Sequence, residues 1–209
     1  MTIFTIGHST LEQEKFLQVI EPVDIVIDVR SHPTSRWEQF RKENLEEWLP
    51  KANVGYEFCP ELGGWTEKHI SMADAMESKL VDVRAYARGK FPKQRIGKNF
   101  PNPIQEELPF ERPSWTNQGL WDYSWFMMLN EFLDAADILV ERGKKENVGI
   151  MCCECLWWKC HRSMIADYLC FLGSDAIHLQ PKRKPHSESL GNRLDRYHPE
   201  IISSWEKRK

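Results

Sequence analysis

The sequence predicts an α/β, Rossmann-like domain of three layers with a mainly parallel sheet, and three observations carry that prediction. Short apolar segments rich in β-branched residues alternate with amphipathic segments of helical period. Ile3 to Gly7, the stretch carrying Leu11, Phe16, Leu17 and Ile20, and Val23 to Val29 already make one strand-helix-strand unit. The second of those strands, VDIVIDV, is apolar nearly throughout, as a strand must be when helices cover both faces of its sheet.

The first strand runs into the tight turn Gly7-His8-Ser9-Thr10. Thr10 stands where a helix N-cap is expected, with Glu12 and Glu14 in the first turn at the positive end of the helix dipole. After Asp28 and Arg30 comes the polar loop SHPTSRWEQF, then a helix over Glu43 to Leu49 and a third strand over Tyr56 to Cys59, which stops at Pro60 and Leu62-Gly63-Gly64. A helical pattern covers Ser71 to Ala87. From Phe91 to Trp121 the prolines at 92, 101, 103, 109 and 113 break any period, so a long loop or insertion is expected there. Phe126, Leu129, Phe132, Leu133, Ala136 and Leu139 recur at helical spacing and predict one helix over Tyr123 to Arg142, stopped by Gly143. Val148 to Cys152 is a strand, Ser163 to Leu172 a helix ended by Gly173, and Ala176 to Leu179 the last strand. Residues 180–209 read as a basic tail that wraps the surface with one short helix. No internal repeat divides the chain, so 1–209 is read as a single domain.

The 209 residues hold 28 Lys or Arg against 31 Asp or Glu, a net charge of -3, so a protein basic all over is excluded and a nucleic-acid contact would need a local patch. With 41% hydrophobic residues the chain carries a core, which excludes a disordered or fibrous class. The start MTIFTIGHST lacks the basic and apolar regions of a secretory leader, and no apolar run nears the ~18 residues of a membrane span. A cytoplasmic protein with no membrane partner is expected, and its six cysteines are read first as thiols.

Ligands of open α/β sheets bind outside the carboxyl ends of the strands. Those ends place His8, Ser9, Asp28, Arg30, Cys59 and the run Cys152 to Arg162 near one crevice. The run CCECLWWKCHRS follows a strand and opens a helix, whose free N–H groups and positive dipole end favour an anion and lower the pKa of a nearby thiol. Arg162 adds a bidentate anion partner. The competing reading is that Cys152 and Cys153 are small core hydrophobes. Metal is a further reading: Cys152 and Cys155 are spaced C-x2-C, and Cys160 with His161 would complete a set that suits zinc. Against it, neighbouring side chains such as Cys160 and His161 do not easily both turn inward, so no metal ligands are assigned and no cofactor is expected beyond zinc as a candidate. Neither Cys155, with six residues between it and Arg162, nor Cys152, with nine, fits a tight phosphate-cradling loop. Trp157 and Trp158 lie inside the cysteine run, Trp37, Trp65 and Trp115 in loops near the crevice, and Trp121 and Trp125, at i, i+4, in the core.

Several motifs in one order carry a resemblance over nearly the whole length. They are Thr5-Ile6-Gly7-His8-Ser9, Asp28-Val29-Arg30 with Pro33, Ser35 and Arg36, Tyr56 with Leu62-Gly63-Gly64, and Cys152, Glu154 and Cys160-His161-Arg162. His178, His186, Gly191, Arg193 and Leu194 form the closing pattern. With these the chain resembles the DUF488 proteins of bacteria and archaea. The resemblance selects Cys152, Glu154 and the Cys160-His161-Arg162 triplet, treats Cys153 and Cys155 as particular to this chain, and implies a DNA-repair context.

The expected function is an enzyme, a hydrolase or transferase, acting on a small anionic, nucleotide-like substrate. His8, Asp28, Cys152, Glu154, Cys160 and His161 are the candidate catalytic residues. Ser9, Arg30, Ser35, Arg36, Tyr56, Gly63, Gly64, Trp157, Trp158 and Arg162 are the candidate substrate contacts. The alternatives are a nucleic-acid-associated binding protein using Lys182, Arg183, Lys184, Lys207, Arg208 and Lys209, and a Cys/His metal protein.

Overall fold

A computed structural model of the chain describes residues 1–64 and 117–209. The helix expected over 71–87, the Pro-rich stretch up to residue 116, Trp65 and Trp115 lie outside the described residues.

A mixed, mostly parallel sheet of six strands runs in the order β3-β2-β4-β1-β5-β6. Its strands are β1 (Thr2–Gly7), β2 (Ile25–Asp28), β3 (Gly55–Phe58), β4 (Val148–Cys152), β5 (Asp175–His178) and β6 (Lys184–Pro185). All neighbours are parallel except β5 and β6. The helices are α1 (Gln13–Val19), α2 (Lys42–Lys51), α3 (Gln118–Phe126), α4 (Asn130–Gly143), α5 (Arg162–Phe171), α6 (Gly191–Leu194) and α7 (Pro199–Glu206).

Alternate residues of one strand point to opposite faces, and both faces here are covered. Phe4, Ile6 and Val26 join Phe16 and Ile20 of the α1 segment and Leu45 and Leu49 of α2 in one core. Ile3, Ile25 and Ile27 join the side chains of α3, α4, α5 and α7 in the other. This is the three-layer arrangement expected from the sequence. Trp121, Trp125 and Trp205 are fully buried in the second core.

Three local expectations are corrected. Thr10 does not cap α1: Ser9 takes a left-handed φ of 46°, the Leu11 N–H closes the turn on the His8 carbonyl at 3.0 Å, and the helix begins only after Glu12. Tyr123 to Arg142 is two helices, because Leu129 is extended and breaks the run. The indole N–H of Trp205 takes the Met127 carbonyl freed there, at 3.2 Å. The segment 180–209 holds two helices and is no surface wrap: His186, Arg193, Tyr197, Ile201 and Trp205 are all buried. Its apolar face, including one Trp, needs a core to be stable.

Candidate functional site

The order β2-β4-β1 brings the carboxyl ends of three strands side by side, with Gly7 opposite Cys152 and Asp28 opposite Met151. Backbone pairing continues past the strand ends. The N–H groups of His8, Ser9 and Val29 donate to the carbonyls of Cys152, Cys153 and Met151, each at 2.9 Å. Gly7 permits this approach: a Cβ there would collide with the Glu154 carbonyl oxygen and stand 2.7 Å from the Cys155 Cα.

Asp28 is fully buried and organises one side of the site. It accepts from the Arg30 Nε at 2.8 Å and Nη2 at 2.5 Å, and from the Tyr56 hydroxyl at 2.8 Å. Burial opposes the Arg30 charge, but the Asp28 carboxylate more than compensates and its pKa rises. Burial, then Asp28, push the Tyr56 phenol up as well, so it stays a hydrogen-bond donor. Arg30 Nη1 donates to the Phe40 carbonyl at 2.8 Å and approaches His8 Nε2 at 3.4 Å. His8 Nδ1 lies 3.0 Å from the Ser9 carbonyl, which fixes the proton on Nδ1 and the lone pair on the Arg30 side. The ring stacks on Phe40 at 4.2 Å. Burial and Arg30 push its pKa down to about 4, so His8 is neutral near pH 7.

In front of this layer lies an open cleft of about 310 Å³, lined by His8, Ser9, Thr10, Thr34, Ser35, Arg36, Trp37 and Cys153. Four hydroxyls and one guanidinium face it, and no carboxylate is among those residues. Among the described residues Arg36 has no ion-pair partner, and it is exposed. The Cys153 thiol accepts from Cys152 Sγ at 3.9 Å, and that contact, against the effect of its own burial, brings its pKa to about 6.

Behind Cys153 lies a buried Cys-His cluster in which the donor atoms of Cys152, Cys160 and His161 are all within 4.8 Å of one another, so it could hold a metal ion. Cys160 is extended at φ -124° and His161 helical at φ -56°, and the bend between them turns both side chains the same way. Adjacency is thus no obstacle: Cys160 Sγ is 3.5 Å from His161 Nδ1. His161 Nε2 donates to the Val29 carbonyl at 2.8 Å, which leaves the Nδ1 lone pair for the sulfurs. Gly64 makes room for the ring, since a Cβ there would be 2.6 Å from Nδ1. Arg162 donates from Nε to Cys160 Sγ at 3.4 Å and from Nη2 to the Glu154 carbonyl. Burial raises the Cys160 pKa, but Cys152, His161 and Arg162 outweigh it and hold the thiol well below its usual range. Cys152, hydrogen-bonded toward Cys153 and Cys160 and buried, is held well above.

A family model described as a domain of unknown function, DUF488, matches residues 17–79 and 71–169, more than half of the chain. The chain belongs to the DUF488 family. No curated protein and no solved structure matches it. The DUF488 match takes in Asp28, Arg30, Tyr56, Gly63, Gly64 and Cys152 to Arg162, whereas His8 and Ser9 precede it.

Closing residues of this DUF488 chain beyond the match join Thr5 and Asp167 in a buried relay. Thr5 Oγ1 lies 2.7 Å from His178 Nδ1, His178 Nε2 2.7 Å from His186 Nδ1, and His186 Nε2 2.6 Å from Asp167 Oδ1. Asp167 also takes the Arg193 Nε at 2.6 Å and Nη2 at 2.8 Å, and the Tyr197 hydroxyl at 2.7 Å. Trp157 stacks on His178 at 3.8 Å and walls this relay off, while Trp158 is 44% exposed. Trp157 therefore faces the relay, and neither tryptophan lines the cleft.

Of the other expected site residues, Ser9, Ser35, Arg36 and His8 line the cleft. Glu154 is used by the loop itself, its Oε1 accepting from the Leu156 N–H at 2.8 Å. Gly63 packs on Pro60 and Ser31. Cys59 is not one of the three clustered donors; it donates toward Glu61, and its thiol is pushed up to about 12 by burial. Among the described residues no helix is long and apolar enough to cross a membrane. Sequence reasoning missed Cys153, Thr10 and Thr34 as cleft residues, and it placed Trp37 near the crevice without making it a contact. For Cys153 the signal was available: successive residues at the end of β4 point to opposite sides, so an inward Cys152 implies an outward Cys153.

Proposed function

We propose that the cleft binds a small anionic molecule, nucleotide-like compounds included, and that the protein is an enzyme acting on it with the Cys153 thiol as reacting group. The observation that carries this reading is the lining: among the described residues, hydroxyls of Ser9, Thr10, Thr34 and Ser35, an Arg36 without an ion-pair partner and no carboxylate, at the strand ends beside a thiol. Arg36 supplies the countercharge, the hydroxyls supply hydrogen bonds, and Trp37 offers a face for a ring. Arg30, fixed by Asp28, is a positioning residue that orients His8 at the cleft floor and, after burial, helps to keep it neutral. In a group transfer, Cys153 Sγ bonds to the electrophilic centre, the leaving group departs with the bonding electron pair, and water or a second acceptor then takes the group from sulfur.

Titrating phosphate, pyrophosphate and AMP into the protein while following tryptophan fluorescence tests this. At least one anion binds, and Arg36→Ala weakens it about tenfold or more, the worth of a charged hydrogen bond. The bound anion also slows alkylation of Cys153. If none of these anions binds at millimolar concentration, or Arg36→Ala binds as well as the parent, the reading fails.

A second reading, a Cys/His metal protein that takes zinc, is favoured by the three buried donors of Cys152, Cys160 and His161. It is compatible with the first, because the cluster lies behind Cys153. The nucleic-acid reading has less support: Arg208 pairs with Asp134 and Asp137, Lys184 with Glu188, and Arg183 lies over the Phe4 ring.

A further inference from the structure

Resting on the metal reading above, we infer that Cys152, Cys160 and His161 are, among the described residues, the protein donor set of an open zinc site whose fourth position faces the cleft on the side of Cys153. Zinc–sulfur bonds of ~2.3 Å and zinc–nitrogen bonds of ~2.0–2.1 Å at a tetrahedral angle separate the donors by ~3.5–3.8 Å. Cys160 Sγ and His161 Nδ1 stand 3.5 Å apart, so this edge of the tetrahedron exists without rearrangement.

The surroundings are those of a metal site. The ring nitrogen of His161 not needed for a metal is tied to the Val29 carbonyl at 2.8 Å, which sets the tautomer a ligand requires. The Arg162 Nε points at Cys160 Sγ from 3.4 Å, as outer N–H donors do toward metal thiolates.

Which side is open follows from what, among the described residues, covers each donor. His161 is covered by the Val29 carbonyl, by the Gly64 backbone and by the edge-on Tyr123 ring at 5.2 Å. Cys160 is covered by Arg162. Cys152 has Cys153 Sγ at 3.9 Å, and Cys153 is both exposed and part of the cleft wall. Three protein ligands with one position left to a small molecule is the pattern of catalytic zinc, whereas structural zinc is closed by four. The ion's fourth donor is therefore an oxygen of water or of the anion held by Arg36.

The test uses protein purified without chelator, and the same protein with its metal exchanged for cobalt(II). Elemental analysis gives one zinc per chain, and zinc-edge X-ray absorption gives two sulfurs, one imidazole nitrogen and one oxygen-type donor. Adding pyrophosphate shifts the visible bands of the tetrahedral cobalt protein. Cys155→Ser keeps the metal, which separates this site from a C-x2-C knuckle, and Cys160→Ser weakens metal binding at least tenfold. No bound metal, in protein that is folded by circular dichroism, overturns the metal reading and this inference together. A metal with three or more sulfurs, or a cobalt spectrum blind to every anion that binds the cleft, overturns the open site alone. Because the absorption and cobalt measurements are made on the parent chain, a variant that does not fold leaves the result intact.

Discussion

Acid should weaken this fold well before its carboxylates protonate, and the reason is His178. Its ring is fully buried between Thr5, Trp157 and His186. Burial, then the charge of His186, Arg162, Arg193 and Lys184, bring its pKa from 6.5 down to about 2. Above pH 6.5 the ring is neutral in both folded and unfolded chains and contributes nothing to the pH dependence. Below it the unfolded chain takes up a proton that the native chain refuses, so stability falls as pH falls. For this ring alone the step from pH 6.5 to pH 5 costs about 1.6 kcal/mol, because the slope nears about 1.4 kcal/mol per unit only below the unfolded pKa, and His8, held down to about 4, adds a similar amount in the same window.

The neighbouring carboxylate does not mask this. Burial raises the Asp167 pKa, but His186 and Arg193 lower it further, so its stabilisation is lost only as pH falls below the ordinary value of 3.8. Urea unfolding at pH 7.5, 6.5, 5.5 and 5.0 measures the effect. With a slope of about 2 kcal/mol/M, the midpoint should drop by about 1.5 M between pH 6.5 and 5. The imidazole proton resonances of His178 should keep their neutral positions throughout. A midpoint that is flat or rises toward pH 5, or a His178 ring that titrates near 6 in the native state, would refute the reasoning.

Two further substitutions probe the framework of the site. Gly7→Ala drives a Cβ into the backbone of Glu154 and Cys155, which cannot give as a side chain tip would; it should cost about 3 kcal/mol and lower the melting temperature by about 6–12 °C, and a drop under about 2 °C would show that the cysteine loop yields. Arg193→Ala leaves the fully buried Asp167 without the fork that grips both its oxygens, so it should cost about 3–5 kcal/mol in urea unfolding. Adding Asp167→Asn to that variant should recover part of the loss, whereas strictly additive effects would mean that the pair is not coupled.

Periodicity and strand-end position made the layers and most of the crevice readable from sequence. Trp121 and Trp125 were legible as core because a helix repeats every 3.6 residues, and His8, Asp28 and Cys152 because each follows an apolar run. Long-range facts were not legible. Nothing local says that β4 inserts between β1 and β2, yet that pairing alone brings Cys152 to Gly7. Tail composition misled for a related reason: the lysines and arginines of 180–209 are conspicuous in sequence, while Tyr197, Ile201 and Trp205, which fix the segment in the core, are few.

The cysteines show most sharply where sequence reasoning stops. Cys152 and Cys153 have the same side chain and the same neighbours in sequence, and resemblance alone ranks the first above the second. The pleat of β4 divides them: Cys152 turns toward Cys160 and His161, and Cys153 toward Arg36 and the hydroxyls. One residue therefore suits an ion and the other a substrate, with 3.9 Å between their sulfurs. The doubled cysteine is thus the point at which the buried cluster and the open cleft meet. Replacing Cys153 should alter what happens in the cleft while leaving the cluster's metal in place, and replacing Cys152 should remove the metal first.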